Sequence, residues 1–258
     1  MTWTHYIDNE VPWDAPAHYG EWDSLVEAGG STIVQSTDAA FPDRGSYGLR
    51  CQTVSGNTAC VEKEDVASIA VGGELYIGFW MKVAALPAAY TYVTSLYEGS
   101  NLRVGVLLDT DGDLRLICRR DGAFTYLAYT APPAASGRWL YFVLAVKRAS
   151  SDVAADGWFR MYFDGRLADE AIDQDNYDSF ANLLNLRAGC QANAADDLDV
   201  YLDEYKVAAG YPEPHVPTPA DEYPSARRTA VLYRTASADS VEFADYCVSE
   251  LGLSLIHI

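Results

Sequence analysis

Residues 113–119 read Asp-Leu-Arg-Leu-Ile-Cys-Arg, and the alternation within them decides the fold class. Successive side chains of an extended chain point to opposite sides, so Leu114, Leu116 and Cys118 share one face and the residues between them share the other. This pattern predicts a β-strand with one buried side. Ten further runs have strand-like composition: 48–54, 59–63, 74–83, 92–97, 102–108, 125–129, 139–147, 158–163, 185–188 and 200–207.

Turn sequences lie between these runs, and no long helical stripe interrupts them before about residue 210. The turns are rich in glycine and aspartate: 43–45, 55–57, 111–113, 121–122 and 164–165. Short strands at this spacing favour two stacked antiparallel sheets over any α/β fold. We therefore predict an all-β, two-sheet jelly-roll sandwich over residues 1–210.

The chain changes character after this domain. Residues 211–228 contain five prolines, which favour extended backbone, so we predict a semi-rigid linker. A strand candidate and a helix candidate follow, in the order expected at the start of an α/β domain, so residues 229–252 are interpreted as a truncated strand–helix fragment. Residues 253–258 read as a sequencing-adapter tail translated in frame. The first residues have neither the basic region nor the apolar core of a signal peptide.

The composition limits the expected partners. The formal net charge is −19, from 37 acidic and 18 basic residues. Such a surface repels phosphate backbones and anionic membranes, so we expect no nucleic acid among the partners. Because no run of about 18 apolar residues is present, we also expect no membrane insertion. These features favour an extracellular domain, which we expect to be monomeric.

Two cysteines, Cys51 and Cys60, flank a turn signal between two strand-like runs. If residues 55–56 form a two-residue hairpin loop, the cysteines lie opposite each other at a non-hydrogen-bonded pair, where a disulfide can form. If residues 56–57 form the loop instead, the register shifts and the cysteines no longer meet. We predict the Cys51–Cys60 disulfide from the first alternative. Two other cysteines are expected to be buried free thiols: Cys118 and Cys190.

Four segments of the chain have a characteristic order and spacing. Residues 45–50 have the form of an early strand entered through a glycine turn, and residues 74–82 form an aromatic, tryptophan-containing strand. Residues 160–165 are similar to a Tyr-Val-Asp-Gly hairpin, and residues 199–207 are similar to a closing strand. Together they resemble the concanavalin A-like lectin/glucanase superfamily, in its laminin G-like branch. The resemblance covers about residues 1–208 and implies a jelly-roll fold.

The resemblance raises the question of catalysis, because this superfamily includes glucanases and polysaccharide lyases. The glucanase pattern Glu-x-Asp-x-x-Glu puts three carboxylates on one strand face, and no such string occurs in this chain. A lyase needs arginine, histidine and tyrosine around a uronic acid, but residues 1–210 contain only His5 and His18 as histidines. We therefore expect a non-catalytic module, with a polysaccharide lyase or glycoside hydrolase as the alternative.

The resemblance also implies a structural Ca²⁺ that ties the first strand to the last. Asp203 is the matching residue of the closing strand, and Asp8 or Glu10 could supply a carboxylate from the N-terminal side. Ca²⁺ needs six to eight oxygen ligands, so backbone carbonyls and water would complete the site. The alternative is that Asp203 caps or solvates the edge of its strand.

The middle strands contain the candidate ligand residues. Arg103, Arg115 and Arg119 fall in the phase opposite the apolar face, and Tyr97 and Tyr126 are near them in sequence. Arginine pairs with carboxylates and sulfates, and aromatic rings pack against the C–H groups of sugars, so these residues predict a site for a carboxylated or sulfated glycan. Alternatively, the arginines balance local carboxylates and the tyrosines pack the sheet.

The function predicted from these observations is that of a carbohydrate- or surface-binding module in a larger extracellular protein. Its partner would be a glycan or a cell-surface polymer. A structural or adhesion spacer without a sugar ligand is the third alternative, beside the enzyme.

Overall fold

The computed structural model describes residues 5–14, 18–42, 45–54, 57–120, 123–129, 137–191 and 198–212. It also describes the backbone of two short strands, Thr229–Ala230 and Ser254–Leu255. The first compact unit spans Met1–Pro214, and the second spans His215–Ile258. Within the described residues, no helix is long and apolar enough to cross a membrane.

Apart from two short 3-10 helices, Thr37–Ala39 and Tyr177–Phe180, the regular secondary structure in the described part of the first unit consists of β-strands. They are β1 (His5–Ile7), β2 (Trp13–Asp14), β3 (His18–Tyr19), β4 (Ser24–Glu27), β5 (Thr32–Ser36), β6 (Gly48–Gln52), β7 (Ala59–Ala67), β8 (Glu74–Ala85), β9 (Thr91–Glu98), β10 (Asn101–Leu108), β11 (Leu114–Arg120), β12 (Ala123–Tyr129), β13 (Leu140–Lys147), β14 (Gly157–Phe163), β15 (Arg166–Gln174), β16 (Leu184–Gln191) and β17 (Asp199–Ala208).

The strands form two large antiparallel sheets. The first has the order β15-β14-β13-β8-β17-β6-β5, with β1 also paired to β17, and the second has the order β12-β11-β10-β9-β16-β7-β4. Strands β2 and β3 form a separate two-stranded pair. This architecture confirms the predicted all-β jelly-roll sandwich.

The hydrophobic core lies between the two sheets. Leu114, Leu116 and Cys118 of β11 are buried in it, as their alternation predicts. From the first sheet, Phe79 of β8 and Phe142 of β13 are fully buried, with ring centroids 5.3 Å apart. Removing such side chains from water is the main stabilising term of the fold, at roughly 25 cal/mol for each Å² of apolar surface.

Two residues after β17 cover part of the outer side of the first sheet. Tyr211 packs edge-on against the rings of Tyr76 and Tyr162. Tyr141 donates a hydrogen bond of 2.9 Å from its hydroxyl to the Pro212 carbonyl. These contacts hold the chain against the sandwich at least as far as residue 212.

The predicted Cys51–Cys60 disulfide is wrong. Cys51 lies on β6 in the first sheet, Cys60 lies on β7 in the second, and both are free thiols. The chain crosses from one sheet to the other between them, so no hairpin register brings them opposite each other. The Cys51 thiol instead donates to the Ala59 carbonyl at 3.2 Å, and burial raises the pKa of Cys60 to about 11. Cys118 and Cys190 are buried free thiols, as predicted.

The second unit is described only in part. Thr229–Ala230 pairs in parallel with Ser254–Leu255, so a strand begins at the predicted residue 229. The predicted helix and most of the predicted linker lie outside the described residues.

We expect all five cysteines to be alkylated when the chain is unfolded after purification without a reductant, because Cys51 and Cys60 lie in different sheets. Mass spectrometry of the intact protein would count the adducts. Alkylation of the folded protein should be much slower, since the four described cysteines are buried. A species with three adducts whose peptide map joins Cys51 to Cys60 would contradict the separation of these two strands.

Candidate functional site

The five predicted ligand residues lie on one side of the second sheet, on the neighbouring strands β9 to β12. On each strand they alternate with core residues such as Leu96, Val104, Leu116 and Leu127, so their side chains point outward. We refer to the outward side of strands β16, β9, β10, β11 and β12 as the tyrosine face. The five residues on it are Tyr97, Arg103, Arg115, Arg119 and Tyr126.

Cross-strand pairing fixes the width of the tyrosine face. Tyr126 of β12 lies opposite Ile117, which in turn lies opposite Gly105. The same row continues through Ser95 of β9 to Arg187 of β16. Neighbouring strands are about 4.8 Å apart, so four inter-strand steps make the row about 19 Å long. A surface of this width can contact several units of a polysaccharide.

Tyr92 is the aromatic residue of this face that sequence reasoning missed. A β-carbon at Gly105 would lie 2.6 Å from Cδ1 of Tyr92, so the glycine leaves the space that this ring occupies. Burial raises the pKa of Tyr92, and the nearby phenols of Tyr97, Tyr126 and Tyr90 raise it further. The three other phenols are therefore close enough to Tyr92 to affect its ionisation, and the Tyr92 phenol stays protonated at neutral pH.

The predicted arginines of β11 differ in their contacts. Arg115 forms an ion pair of 2.6 Å with Asp109, as expected for an arginine that balances a local carboxylate. Arg119 packs over the ring of Phe124, at 5.4 Å from its centroid. Among the described residues, no carboxylate forms an ion pair with Arg119. Of these two guanidinium groups, that of Arg119 is the one left for a ligand.

Arg103 lies at one end of the face, in an open cavity of about 760 Å³. It forms a largely buried ion pair with Glu98, and Asn182 donates to the other oxygen of the same carboxylate. The pair neutralises both charges. Arg103 therefore balances a local carboxylate, which was the alternative to a role in ligand binding.

A second cavity of about 380 Å³ lies on the β16 side of the face, and we call it the Arg187 depression. Arg187 and Gln191 line it together with Tyr92 and Tyr97. Arg187 donates from Nε to Glu62 at 2.8 Å, and its guanidinium lies 4.1 Å from the ring centroid of Tyr97. These contacts fix the guanidinium, while its two Nη groups have no hydrogen-bond partner among the described residues.

Gln191 is only 5 % exposed, yet its amide is not fully hydrogen-bonded. The Ser95 hydroxyl donates to Oε1 of Gln191. The Nε2 group of the same amide has no partner among the described residues. Leaving a buried polar group without a partner costs about 1–3 kcal/mol, so a ligand atom at this position would be stabilising.

Asp203, the central residue of the predicted calcium site, is fully buried. Its Oδ1 accepts hydrogen bonds from Asn9 Nδ2 at 3.0 Å and from the Glu204 backbone N–H at 2.8 Å, and its Oδ2 accepts one from the Phe41 backbone N–H at 2.8 Å. Burial raises the pKa of Asp203 to about 7, against the lowering effect of these three donors. Both oxygens therefore bind N–H groups of the protein.

The other two predicted calcium ligands hold backbone groups as well. Asp8 Oδ1 accepts from the Glu10 N–H at 3.1 Å. Glu10 Oε1 accepts from the N–H groups of Ser46 at 2.7 Å and Tyr47 at 2.8 Å. Among the described residues, no three His, Cys, Asp or Glu side chains form a group that could hold a metal ion. This arrangement does not fit Ca²⁺, which needs six to eight oxygen ligands, and the calcium site stays a prediction without geometric support.

The chain belongs to the concanavalin A-like lectin/glucanases superfamily. Residues 55–210 match the model of a laminin G-like family that is part of this superfamily. The matched range contains all five strands of the tyrosine face.

Solved structures share the fold at low sequence identity. An endo-β-1,4-glucuronan lyase from the fungus Trichoderma reesei has a TM-score of 0.61 and 16 % identity, over 81 % of this chain and 96 % of that chain. Botulinum neurotoxin type C, described as dependent on two ganglioside molecules to enter cells, has a TM-score of 0.49 and 11 % identity, over 72 % of this chain and 43 % of that chain. The binding domain of Paraclostridial Mosquitocidal Protein 1 has a TM-score of 0.48 and 15 % identity, over 72 % and 44 % of the two chains. No curated protein matches the sequence.

We expect the melting temperature to be the same in CaCl₂ and in EDTA, because N–H donors already bind the carboxylates of Asp203 and Glu10. Differential scanning calorimetry at about pH 8, where Asp203 is ionised, would measure both. Asp203→Asn puts an NH₂ group against one of the N–H donors and should destabilise the fold by about 1–3 kcal/mol, equally in both buffers. A calcium-dependent rise in melting temperature that Asp203→Asn abolishes would instead support the metal site.

Proposed function

We propose that this domain is a non-catalytic glycan-binding module that uses its tyrosine face. The observation that carries the proposal is the outward grouping of Tyr92, Tyr97 and Tyr126 with the guanidinium groups of Arg119 and Arg187. Aromatic rings pack against the C–H faces of sugars, and arginines donate hydrogen bonds to carboxylates and hydroxyls. The combination suits a hydroxylated ligand with anionic groups.

Membership of a superfamily named for lectins and glucanases supports a role that involves sugars. The lyase that shares the fold acts on a glucuronan, which is a polymer of an anionic sugar. We further propose that the domain works outside the cell, where such polymers are found and where laminin G-like domains typically occur.

Binding is favoured over catalysis by the chemistry of the face. A lyase abstracts a proton next to the sugar carboxylate and needs a base whose pKa is near the working pH. The pKa of the central phenol, Tyr92, is raised and not lowered, and the described strands of the tyrosine face contain no histidine. The phenol is therefore suited to donate a hydrogen bond to a sugar oxygen.

We expect Tyr126→Ala to weaken glycan binding about fivefold or more, because Tyr126 is 63 % exposed at the edge of the face and would lose a large contact with the sugar. A glycan array would identify the strongest ligand, and isothermal titration calorimetry would compare its Kd for the two proteins. The matched control is Ile172→Ala, which removes an exposed apolar side chain from the other sheet, on β15.

Two outcomes of this experiment would contradict the proposal. Failure to bind any glycan on the array, with or without Ca²⁺, would favour a structural spacer. Accumulation of shortened chains during incubation with a bound polysaccharide would identify an enzyme.

Gly105→Ala is expected to weaken binding by displacing the Tyr92 ring, since the added methyl group would lie 2.6 Å from Cδ1 of that ring. The melting temperature should change little, because the ring lies on the outer side of the sheet. A double-mutant cycle separates this effect from others: in a Tyr92→Ala background, Gly105→Ala should leave the Kd unchanged. Equal losses of affinity in both backgrounds would contradict the assigned role of Tyr92.

A further inference from the structure

We propose that the Arg187 depression is a subsite for one uronic-acid unit of a polysaccharide, with Arg187 binding its carboxylate and Gln191 binding one of its hydroxyls. This inference rests on the proposed glycan-binding function. It goes beyond that function by assigning an acidic class of sugar and the residue that recognises the charge.

The guanidinium of Arg187 is oriented for a ligand. Its Nε is held by Glu62 Oε2 at 2.8 Å, and the other oxygen of that carboxylate accepts from Asn185 at 2.7 Å. The ring of Tyr97 supports the plane of the guanidinium from one side. With Nε and one face occupied, the two Nη groups remain, and together they match the two oxygens of a carboxylate.

The amide of Gln191 requires a partner in either of its orientations. With Oε1 bonded to Ser95, the Nε2 group needs an acceptor. A 180° rotation of the amide would exchange the two atoms and leave Oε1 in need of a donor. A sugar hydroxyl can both donate and accept, so it satisfies the amide in both cases. A simple inorganic anion only accepts hydrogen bonds, so it would satisfy the amide only in the first orientation, with Nε2 free.

The remaining walls and the size of the depression suit a single sugar ring. Tyr92 and Val26 supply apolar surface against which the C–H groups of a sugar can pack. The volume of about 380 Å³ lies near the lower end of the range for small-molecule sites. The row that runs from Arg187 to Tyr126 then leads outward across the sheet, where further units of the same polymer can lie.

Two probes that share one backbone test the recognition of charge. Oligosaccharides of β-1,4-glucuronan carry a carboxylate on each unit, and cello-oligosaccharides of equal length have the same linkage with neutral units. We expect the wild-type protein to bind the glucuronan probe at least about tenfold more tightly. Arg187→Met should weaken that binding about 10- to 100-fold and leave the Kd for the neutral probe nearly unchanged.

Three further variants separate recognition from folding. Arg160→Met is the matched control, because Arg160 on the other sheet also pairs through Nε with a carboxylate, Glu170 at 2.9 Å, and also lies over an aromatic ring, that of Trp158 at 4.3 Å. Its Kd values should equal those of the wild type. The double variant Glu62→Gln/Arg187→Met avoids an unpaired carboxylate and should show the same loss of glucuronan binding. Gln191→Leu should weaken binding of both probes, since both present hydroxyls.

The possible failures can be told apart. If both probes bind equally well and Arg187→Met changes neither Kd, the subsite is wrong while the glycan-binding function stands. If the folded wild-type protein binds no glycan, the proposed function and the subsite fall together.

Discussion

The buried phenol of Tyr205 joins the two sheets, and the orientation of strand β9 in the tyrosine face depends on it. Its ring stacks on Phe79 at 5.0 Å and meets Trp22 edge-on at 5.6 Å, both between centroids. Its hydroxyl shares a hydrogen bond of 2.8 Å with the Thr94 hydroxyl of β9, in the opposite sheet. A phenol left without a partner at this depth would cost about 1–3 kcal/mol. The bond therefore requires Thr94 to face inward.

An inward Thr94 sets the phase of β9 from residue 94 to Tyr97. With strict alternation, an outward Tyr97 would put Tyr92 inside the core. The register instead shifts within β9, and Val93 is an extra residue that stays buried in the core. Tyr92 thereby turns outward beside Tyr97. Bulges re-aim side chains in this way, and here the bulge places an aromatic ring where a ligand can reach it.

Local alternation predicted much of the fold, because the phase of a strand is a property of its own residues. All eleven predicted runs are strands, and the five candidate residues share one face. The predictions that failed concern contacts between residues far apart in the sequence. The Cys51–Cys60 pairing was wrong because a sequence does not state which sheet each strand joins. Strands β1 to β5 were missed because each has only two to five residues, and β15 was missed because it lies at an edge with little burial. Tyr92 was missed because only the bulge reveals its direction. The unpaired amide of Gln191 likewise appears only once Ser95 is placed beside it.

The net charge of −19 and an anionic ligand are compatible because electrostatic forces between exposed groups are short-ranged in salt. At physiological ionic strength the screening length is about 8 Å, so carboxylates on the other sheet act weakly on a ligand at the tyrosine face. The nearby carboxylates Glu62 and Asp109 are each paired with an arginine and present little unbalanced charge. The remaining acidic surface still disfavours polyanions that lie across it without fitting the arginines. The net charge is therefore compatible with the proposed ligand, a polymer with carboxylates at the spacing of the face, and it disfavours a nucleic acid, whose phosphates extend beyond the face.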